Sequence, residues 1–232
     1  MSIDFDLYVV TDRQQTGGRP LGEVVAAAMD GGTRAFQLRE KDLTPRELYP
    51  LALELRGLTR AHGARLLIND RIDIALAVQA DGVHLTTASV PAGVARRVLG
   101  PERLIGVSTH NLMEARQAAE EGADFLVFGP TFFTPSKAAY GAPVGIEALR
   151  AVRAVVACPI LAIGGIKRTN LDLVMEAGAD GIALISAVIA AQDPAAAARE
   201  ILASLQVWRA RHSRESVSAR AGGNPPGPER AE

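Results

Sequence analysis

The sequence predicts a single (β/α)8 TIM barrel, and three observations carry the prediction. Eight short apolar runs succeed one another along the 232 residues, with helical patterns between them. The joints leading from helix to strand resemble one another: D-G-G-T-R-A-F at 30–36, Q-A-D-G-V-H at 79–84, E-G-A-D-F-L at 121–126 and A-G-A-D-G-I at 177–182. A weak internal repeat of one βα period is what a barrel of equivalent units would show. The stretch from Pro159 to Ala187 holds two of the apolar runs, one ending in Gly164-Gly165 and the other in Ser186. Runs this short and uniform belong to parallel strands buried on both sides. Eight units use the length to about residue 210, so 1–210 reads as the barrel and no residues remain for a second domain. A doubly wound open sheet would need fewer strands and a G-x-G-x-x-G opening, which is absent.

In chain order the expected strands are Leu7–Val10, Ala35–Leu38, Leu66–Ile68, Gly82–Leu85, Leu104–Val107, Phe125–Phe128, Ile160–Ile163 and Ile182–Ile185. Leu21–Met29 is an Ala/Val-rich helix that stops at Asp30-Gly31-Gly32. Thr44-Pro45-Arg46-Glu47 opens the longest expected helix, with the form of a capping box and Pro at the first helical position. Asn111–Glu121 starts on an Asn cap and stops at Gly122; Thr169–Ala177 stops at Gly178. From Arg211 the pattern ends. Residues 211–232, rich in Gly, Pro, Ser and charge, are expected to be a disordered tail.

Hydrophobic content of 48% with 22% charge supports an ample core. A net charge of −1 with no basic run argues against nucleic acid as a partner. The apolar runs fall well short of a membrane span, and the start M-S-I-D-F-D lacks the basic opening of a signal peptide. The one cysteine, Cys158, excludes a disulfide framework and reads as a small core residue at a strand start. A cytoplasmic location is expected; the oligomeric state is left open.

In such a barrel the chemistry sits on the side chains that follow each strand. The first strand is followed by Thr11-Asp12-Arg13, and the second leads through Gln37 to Arg39, Glu40 and Lys41. Strand alternation puts Gln37, Arg39 and Lys41 on one face, with Leu38 and Glu40 pointing away. Asn69-Asp70-Arg71 follows the third strand, the fourth carries His84, and the fifth ends Ser108-Thr109-His110. After Gly129-Pro130 come Thr134, Ser136 and Lys137, in a loop to Gly145 long enough to act as a lid. A lone Arg or Lys at a loop start is usually a solvated charge, and Asp70 could be a helix cap beside Arg71. His84, inside an apolar strand, reads first as a core histidine; His110 is the better acid/base candidate. The set counts for more than its members, because nearly every strand end is polar in the same sense. No paired-carboxylate arrangement, nucleophile elbow or zinc-spaced His/Cys cluster appears. Cations and neutral donors with few acids suit a substrate with two separate phosphate groups. The N–H groups at Gly164, Gly165 and Ser186 suit one of them, and the Arg/Lys set suits the other.

The ordered motifs Leu7–Asp12, Gln37–Lys41, Leu67–Asp70, Ala80–His84, Gly106–Ser108, Gly129-Pro130, Thr134–Lys137, Ile163–Gly165 and Ile185-Ser186 together resemble thiamine phosphate synthase, from about residue 6 to residue 206. Individually modest, the motifs as an ordered set are specific to this synthase and its close relative, the thiazole tautomerase. The resemblance implies condensation of a hydroxymethylpyrimidine diphosphate with a thiazole phosphate, by a dissociative route in which pyrophosphate leaves first. It implies that Arg39, Lys41, Asn69, Ser108 and Lys137 bind the diphosphate, and that Gln37 places the pyrimidine. Thr134 and Ser136, with backbone at Gly165, Ile185 and Ser186, would hold the thiazole phosphate, and Asp70 would ligate Mg²⁺. One position departs from the family: Ser89 stands where a second magnesium carboxylate is usual, and serine brings no charge. A tautomerase using His110 would need neither metal nor diphosphate, and a non-catalytic binder of thiazole or thiamine phosphate would need no leaving-group cations. The intact Gln37-Arg39-Lys41, Asn69-Asp70 and Ser136-Lys137 favour the synthase over both.

Overall fold

Each apolar run becomes a parallel strand because its residues have no polar face to present to water. In the computed structural model, which describes residues 3–134 and 142–221 with side chains as far as residue 212, the strands close on themselves. They are β1 (Leu7–Val10), β2 (Ala35–Leu38), β3 (Arg65–Asn69), β4 (Gly82–Leu85), β5 (Leu104–Thr109), β6 (Phe125–Phe128), β7 (Ile160–Ile163) and β8 (Gly181–Leu184). Neighbours in sequence are neighbours in the ring, and β8 closes on β1 with Leu7 opposite Ile182. The eight expected runs match these strands within a residue or two, as hydrophobic pattern alone should allow.

Alternation along each strand separates two cores. Tyr8, Val10, Ala35, Leu67, Phe125, Val127, Leu161 and Ala183 point inward and fill the barrel with Phe5 and Leu104. Their alternates, among them Leu7, Val9, Phe36, Leu38, Leu66 and Ile68, pack outward under the helices. The inner core is aromatic: Phe125 meets Phe5 and Tyr8 edge-on, with ring centroids 5.6 and 5.4 Å apart.

The helices are α1 (Leu21–Asp30), α2 (Pro45–Ala61), α3 (Ile72–Ala77), α4 (Ala92–Leu99), α5 (Leu112–Glu120), α6 (Gly145–Val155), α7 (Leu171–Glu176), α8 (Ser186–Ile189) and α9 (Pro194–Ala221). The capping box at α2 forms as expected, with Thr44 Oγ1 accepting from Glu47 N at 3.4 Å and Thr44 N donating to Glu47 Oε2 at 2.8 Å. This helix is not the longest, however: it has 17 residues and α9 has 28. Helix α9 runs past Arg211, where the tail is expected to begin, as far as Ala221. No Pro or Gly interrupts that stretch before Gly222, so a helix already docked on α1 and α7 has no local reason to stop earlier. Residues 222–232 lie outside the described residues.

Three of the four repeated joints, those at 79–84, 121–126 and 177–182, have a common structural task at the N-terminal end of the barrel. Asp81 Oδ2 accepts from Leu66 N at 2.8 Å and from Arg56 Nη1 at 2.7 Å. Asp124 Oδ2 accepts from Ile105 N at 2.7 Å and from Arg96 Nη2 at 2.5 Å. Asp180 Oδ2 accepts from Ile160 N at 2.8 Å and from Arg153 Nη1 at 2.9 Å. Each carboxylate, placed just before an even strand, thus ties the start of the preceding strand to the preceding even-numbered helix. This end holds the barrel together, which leaves the opposite end for chemistry.

Candidate active site

At the C-terminal ends of β2 and β3 two candidate amides meet. Gln37, buried at the end of β2, donates through Nε2 to Asn69 Oδ1 at 2.8 Å. The expected alternation holds: Leu38 joins the outer core, and Glu40 turns away from the mouth. Glu40 accepts from Thr11 Oγ1 at 2.7 Å and from Arg13 N at 3.1 and 3.2 Å. Burial pushes its carboxyl above the usual range, against the lowering effect of those hydrogen bonds and of the Arg13 charge. Thr11 Oγ1 also accepts from Arg39 N at 2.9 Å, and Arg13 makes a two-pronged pair with Asp42 at 2.8 Å on each prong. Arg39 and Lys41 are therefore carried on a backbone segment fixed on both sides. Among the described residues, neither of their side chains has a hydrogen-bonded or ion-paired partner. Asp12 belongs to the scaffold, since its oxygens cap the short 3-10 helix Arg13–Gln15 through Gln14 N and Gln15 Nε2.

The ends of β4 and β5 hold a second polar pair. His84 Nε2 lies 2.8 Å from Ser108 Oγ, and His84 Nδ1 lies 3.4 Å from the Tyr8 hydroxyl. The ring is 1% exposed, and burial, with the nearby Arg39 charge, lowers its pKa to about 3. His84 is thus a neutral histidine wedged between Tyr8 and Phe125. Glycine is required at 106 on the facing strand, because an added Cβ would stand 2.8 Å from His84 Nδ1 and 2.4 Å from the Phe125 ring. His110 sits elsewhere: it is exposed, and its Nδ1 lies 3.0 Å from Glu114 Oε2 at the cap of α5.

Asp70 projects from the end of β3 with φ 63°, a left-handed conformation that Asp tolerates better than most residues. Its N–H donates to His84 O at 2.9 Å, so β4 fixes its backbone. Arg71 pairs with Asp73 on the next turn, and no described cation pairs with Asp70. Among the described residues no cluster of three or more His, Cys, Asp or Glu side chains could form a metal cage. An exposed carboxylate with no ion-paired cation among the described residues still fits Mg²⁺, which commonly takes one or two carboxylates together with substrate phosphates. Ser89 offers no second anionic ligand. Its Oγ accepts from Thr86 N at 2.8 Å and its N–H donates to Thr86 O at 3.0 Å, so the side chain closes its own turn.

Across the ring, β7 and β8 present backbone. Gly164 and Gly165 follow one another at φ +97° and +64°, so their peptide groups curve into a concave turn. The stretch after β6 runs against this turn, with Thr131 N donating to Ile163 O at 2.7 Å and Phe132 N to Gly164 O at 3.0 Å. A Cβ at Gly164 would stand 2.6 Å from Pro130 Cβ, and one at Gly165 would stand 2.7 Å from Phe132 Cβ. Beside it, Ile185 and Ser186 form the start of α8, whose first N–H groups have no intrahelical acceptor. Thr134, half-buried, ends the described stretch on the β6 side. Ser136, Lys137 and the central part of the expected lid, 135–141, lie outside the described residues.

The structure therefore brings Gln37 to Asn69, Ser108 to His84, and Gly164-Gly165 beside the loop leading to Thr134. His110 stands exposed at the start of α5, beside Glu114. Tyr8 and His84, buried directly behind the site, are the residues that sequence reasoning left in the core. An apolar strand with one histidine gives no sign of what lies 24 residues further on, where Ser108 occurs.

Known proteins resemble the chain over nearly all of this structure. The family model described as thiamine monophosphate synthase matches residues 7–188. A putative thiamine-phosphate synthase of Geobacter sulfurreducens is 56% identical, over 88% of this chain and 95% of its own length. A thiamine-phosphate synthase of Moorella thermoacetica is 53% identical, over 85% of this chain and 94% of its own. Among solved structures, thiamine phosphate pyrophosphorylase from Pyrococcus furiosus superimposes with a TM-score of 0.80 at 40% identity, covering 88% of this chain and 96% of that one.

Proposed function

This chain belongs to the thiamine monophosphate synthase family, and from that premise we propose that it is a transferase joining a hydroxymethylpyrimidine diphosphate to a thiazole phosphate. The products are thiamine phosphate and pyrophosphate. The observation that carries the reading is the division of the barrel mouth. The ends of β2 to β5 offer unpaired cations and amide and hydroxyl groups, and the ends of β7 and β8 offer backbone N–H groups. Two anionic groups of different charge would be held apart by such an arrangement, with the reacting atoms between them.

In this reading the C–O bond between the pyrimidine methylene and the diphosphate breaks, and its electron pair leaves with pyrophosphate. The thiazole nitrogen then donates its lone pair to the pyrimidine cation, forming the C–N bond. No side-chain nucleophile is required. Arg39, Lys41 and Lys137 bind the departing charge, Asn69 and Ser108 donate to it, and Gln37, anchored on Asn69, places the pyrimidine. Thr134, Ser136 and the backbone at Gly165, Ile185 and Ser186 hold the thiazole phosphate. Mg²⁺, which Asp70 would hold together with the diphosphate, supplies further positive charge to the leaving group when bound. The tautomerase alternative has less support, because the relatives reported above are synthases by name.

Pyrophosphate release tests the proposal directly. Mixing the protein with both substrates and Mg²⁺ should release pyrophosphate in step with thiamine phosphate, and omission of Mg²⁺ should abolish it. Arg39→Ala and Lys137→Ala should each slow release by roughly 10²–10³-fold, as removal of a preorganised donor to developing charge does elsewhere. A protein that releases nothing from both substrates with Mg²⁺ is not a synthase.

A further inference from the structure

We infer that Tyr8 and His84 form a relay that fixes the polarity of Ser108, so that its hydroxyl donates outward to the anion bound at the mouth. The inference rests on the synthase reading for the identity of that anion, and on hydrogen-bond geometry for everything else.

Two arrangements of hydrogens fit the three heavy-atom positions. In the first, the Tyr8 O–H donates to Nδ1, Nε2–H donates to Ser108 Oγ, and the serine hydrogen is left to point away from the ring. In the second, both bonds run the other way: Ser108 donates to Nε2, and Nδ1–H donates to the tyrosine oxygen. The second strands the tyrosine hydrogen. Tyr8 is 0% exposed, and among the described residues His84 is the hydrogen-bond partner of its hydroxyl. A buried O–H with no acceptor costs more than an under-used lone pair on the same oxygen. The first arrangement leaves no buried hydrogen unpaired, because Ser108 lies at the half-buried end of β5 where a ligand can accept from it.

Charge and chemistry agree with this polarity. Burial raises the Tyr8 phenol well above its ordinary value, so it keeps the proton it donates. The His84 ring is 1% exposed and both its nitrogens meet hydroxyl groups with no carboxylate beside them, so burial favours the neutral ring, which holds one hydrogen only. A diphosphate offers acceptors and no donors at its charged oxygens, so a serine locked as an outward donor is the useful form. Packing sets the ring's position: Phe125 and Tyr8 contact it, and only a glycine at 106 leaves it room. Through its carbonyl, His84 also holds Asp70 N at 2.9 Å, so one residue orders both the serine and the candidate metal ligand. Tyr8 and His84 are positioning residues, because neither reaches the mouth itself.

Histidine ¹⁵N NMR of the wild-type protein reads the polarity without turnover. Of the four histidines, the resonance lost in His84→Gln identifies the one of interest. Its Nδ1 should be unprotonated and its Nε2 protonated; the opposite tautomer, or an imidazolium, overturns the relay. Kinetics supply a second arm. Tyr8→Phe keeps the ring and should lower kcat/KM for the diphosphate about tenfold in the wild-type background, yet have no effect when Ser108→Ala is already present. His84→Gln, which keeps a donor near the Nε2 position, should retain more activity than His84→Leu. Equal losses from Tyr8→Phe in both backgrounds would show that the tyrosine acts through packing and refute the relay. A wild-type protein that releases no pyrophosphate would sink the synthase reading, while the tautomer would still decide the relay.

Discussion

Burying a histidine without a counter-charge has a cost that appears only in acid, and His84 carries it. In the unfolded chain a histidine takes up its proton near pH 6.5, whereas in the folded barrel His84 does so only at about pH 3. Between those values the unfolded state binds the extra proton, so the contribution of His84 to stability is complete above about 6.5 and is lost as the pH falls toward 3. Urea unfolding at pH 7 and pH 5 should show the wild type losing about 2 kcal/mol more than His84→Gln over that interval. Equal losses would mean that the ring is protonated in the fold. At the same scale, sequence reading identified Gln37, Asn69 and Ser108 by their places at strand ends. It could not assign them partners, because each lies opposite a group that sequence proximity does not indicate.

The elements owe their start and stop points to local chemistry and their mutual fixation to distant pairs. The box at Thr44 was legible because both of its residues lie within one turn. The aspartates at 81, 124 and 180 were visible as part of a repeated pattern, but their task was not. Their arginine partners precede them by 25, 28 and 27 residues, on helices whose rotation the sequence does not state. Asp124 is the most enclosed of the three, with its side chain 8% exposed. Asp124→Ala leaves Arg96 and the Ile105 N–H without that acceptor and should cost about 3–5 kcal/mol in urea unfolding. Asp180→Ala, whose side chain is 47% exposed, should cost less. A loss below 1 kcal/mol for Asp124→Ala would show that the joint is mere sequence repetition.

Across the whole molecule, the two ends of the barrel divide the work, and the mouth is divided again. Donors at the ends of β2 to β5 and backbone at β7 and β8 are held by separate strands, so damage to one side should spare the other. Gly164→Ala tests this. At φ +97° with Pro130 Cβ 2.6 Å from the new methyl group, the turn must move. The variant should raise KM for the thiazole phosphate at least about tenfold, since 1.4 kcal/mol of lost binding suffices for that. Calorimetric binding of inorganic pyrophosphate with Mg²⁺ should stay within about twofold. Weakening of both by the same factor would show that the two sides form one mechanical unit.

By itself the sequence determined the barrel, its eight strands and the helix caps at Thr44 and Asn111, because apolar runs and capping residues act over a few neighbours or one turn. It also determined the ring of polar strand ends and the family, since those follow from order and spacing along the chain. The tertiary structure decided which polar groups meet. Closure of the sheet sets a register in which Tyr8 reaches His84 from 76 residues away, Gln37 reaches Asn69 from 32, and His84 reaches Ser108 from 24. It also decided that His110 faces Glu114 and that His84, a core residue by pattern, stands directly behind the site. Direction and pairing of side chains depend on the twist and stagger of the closed sheet, and no local pattern encodes those.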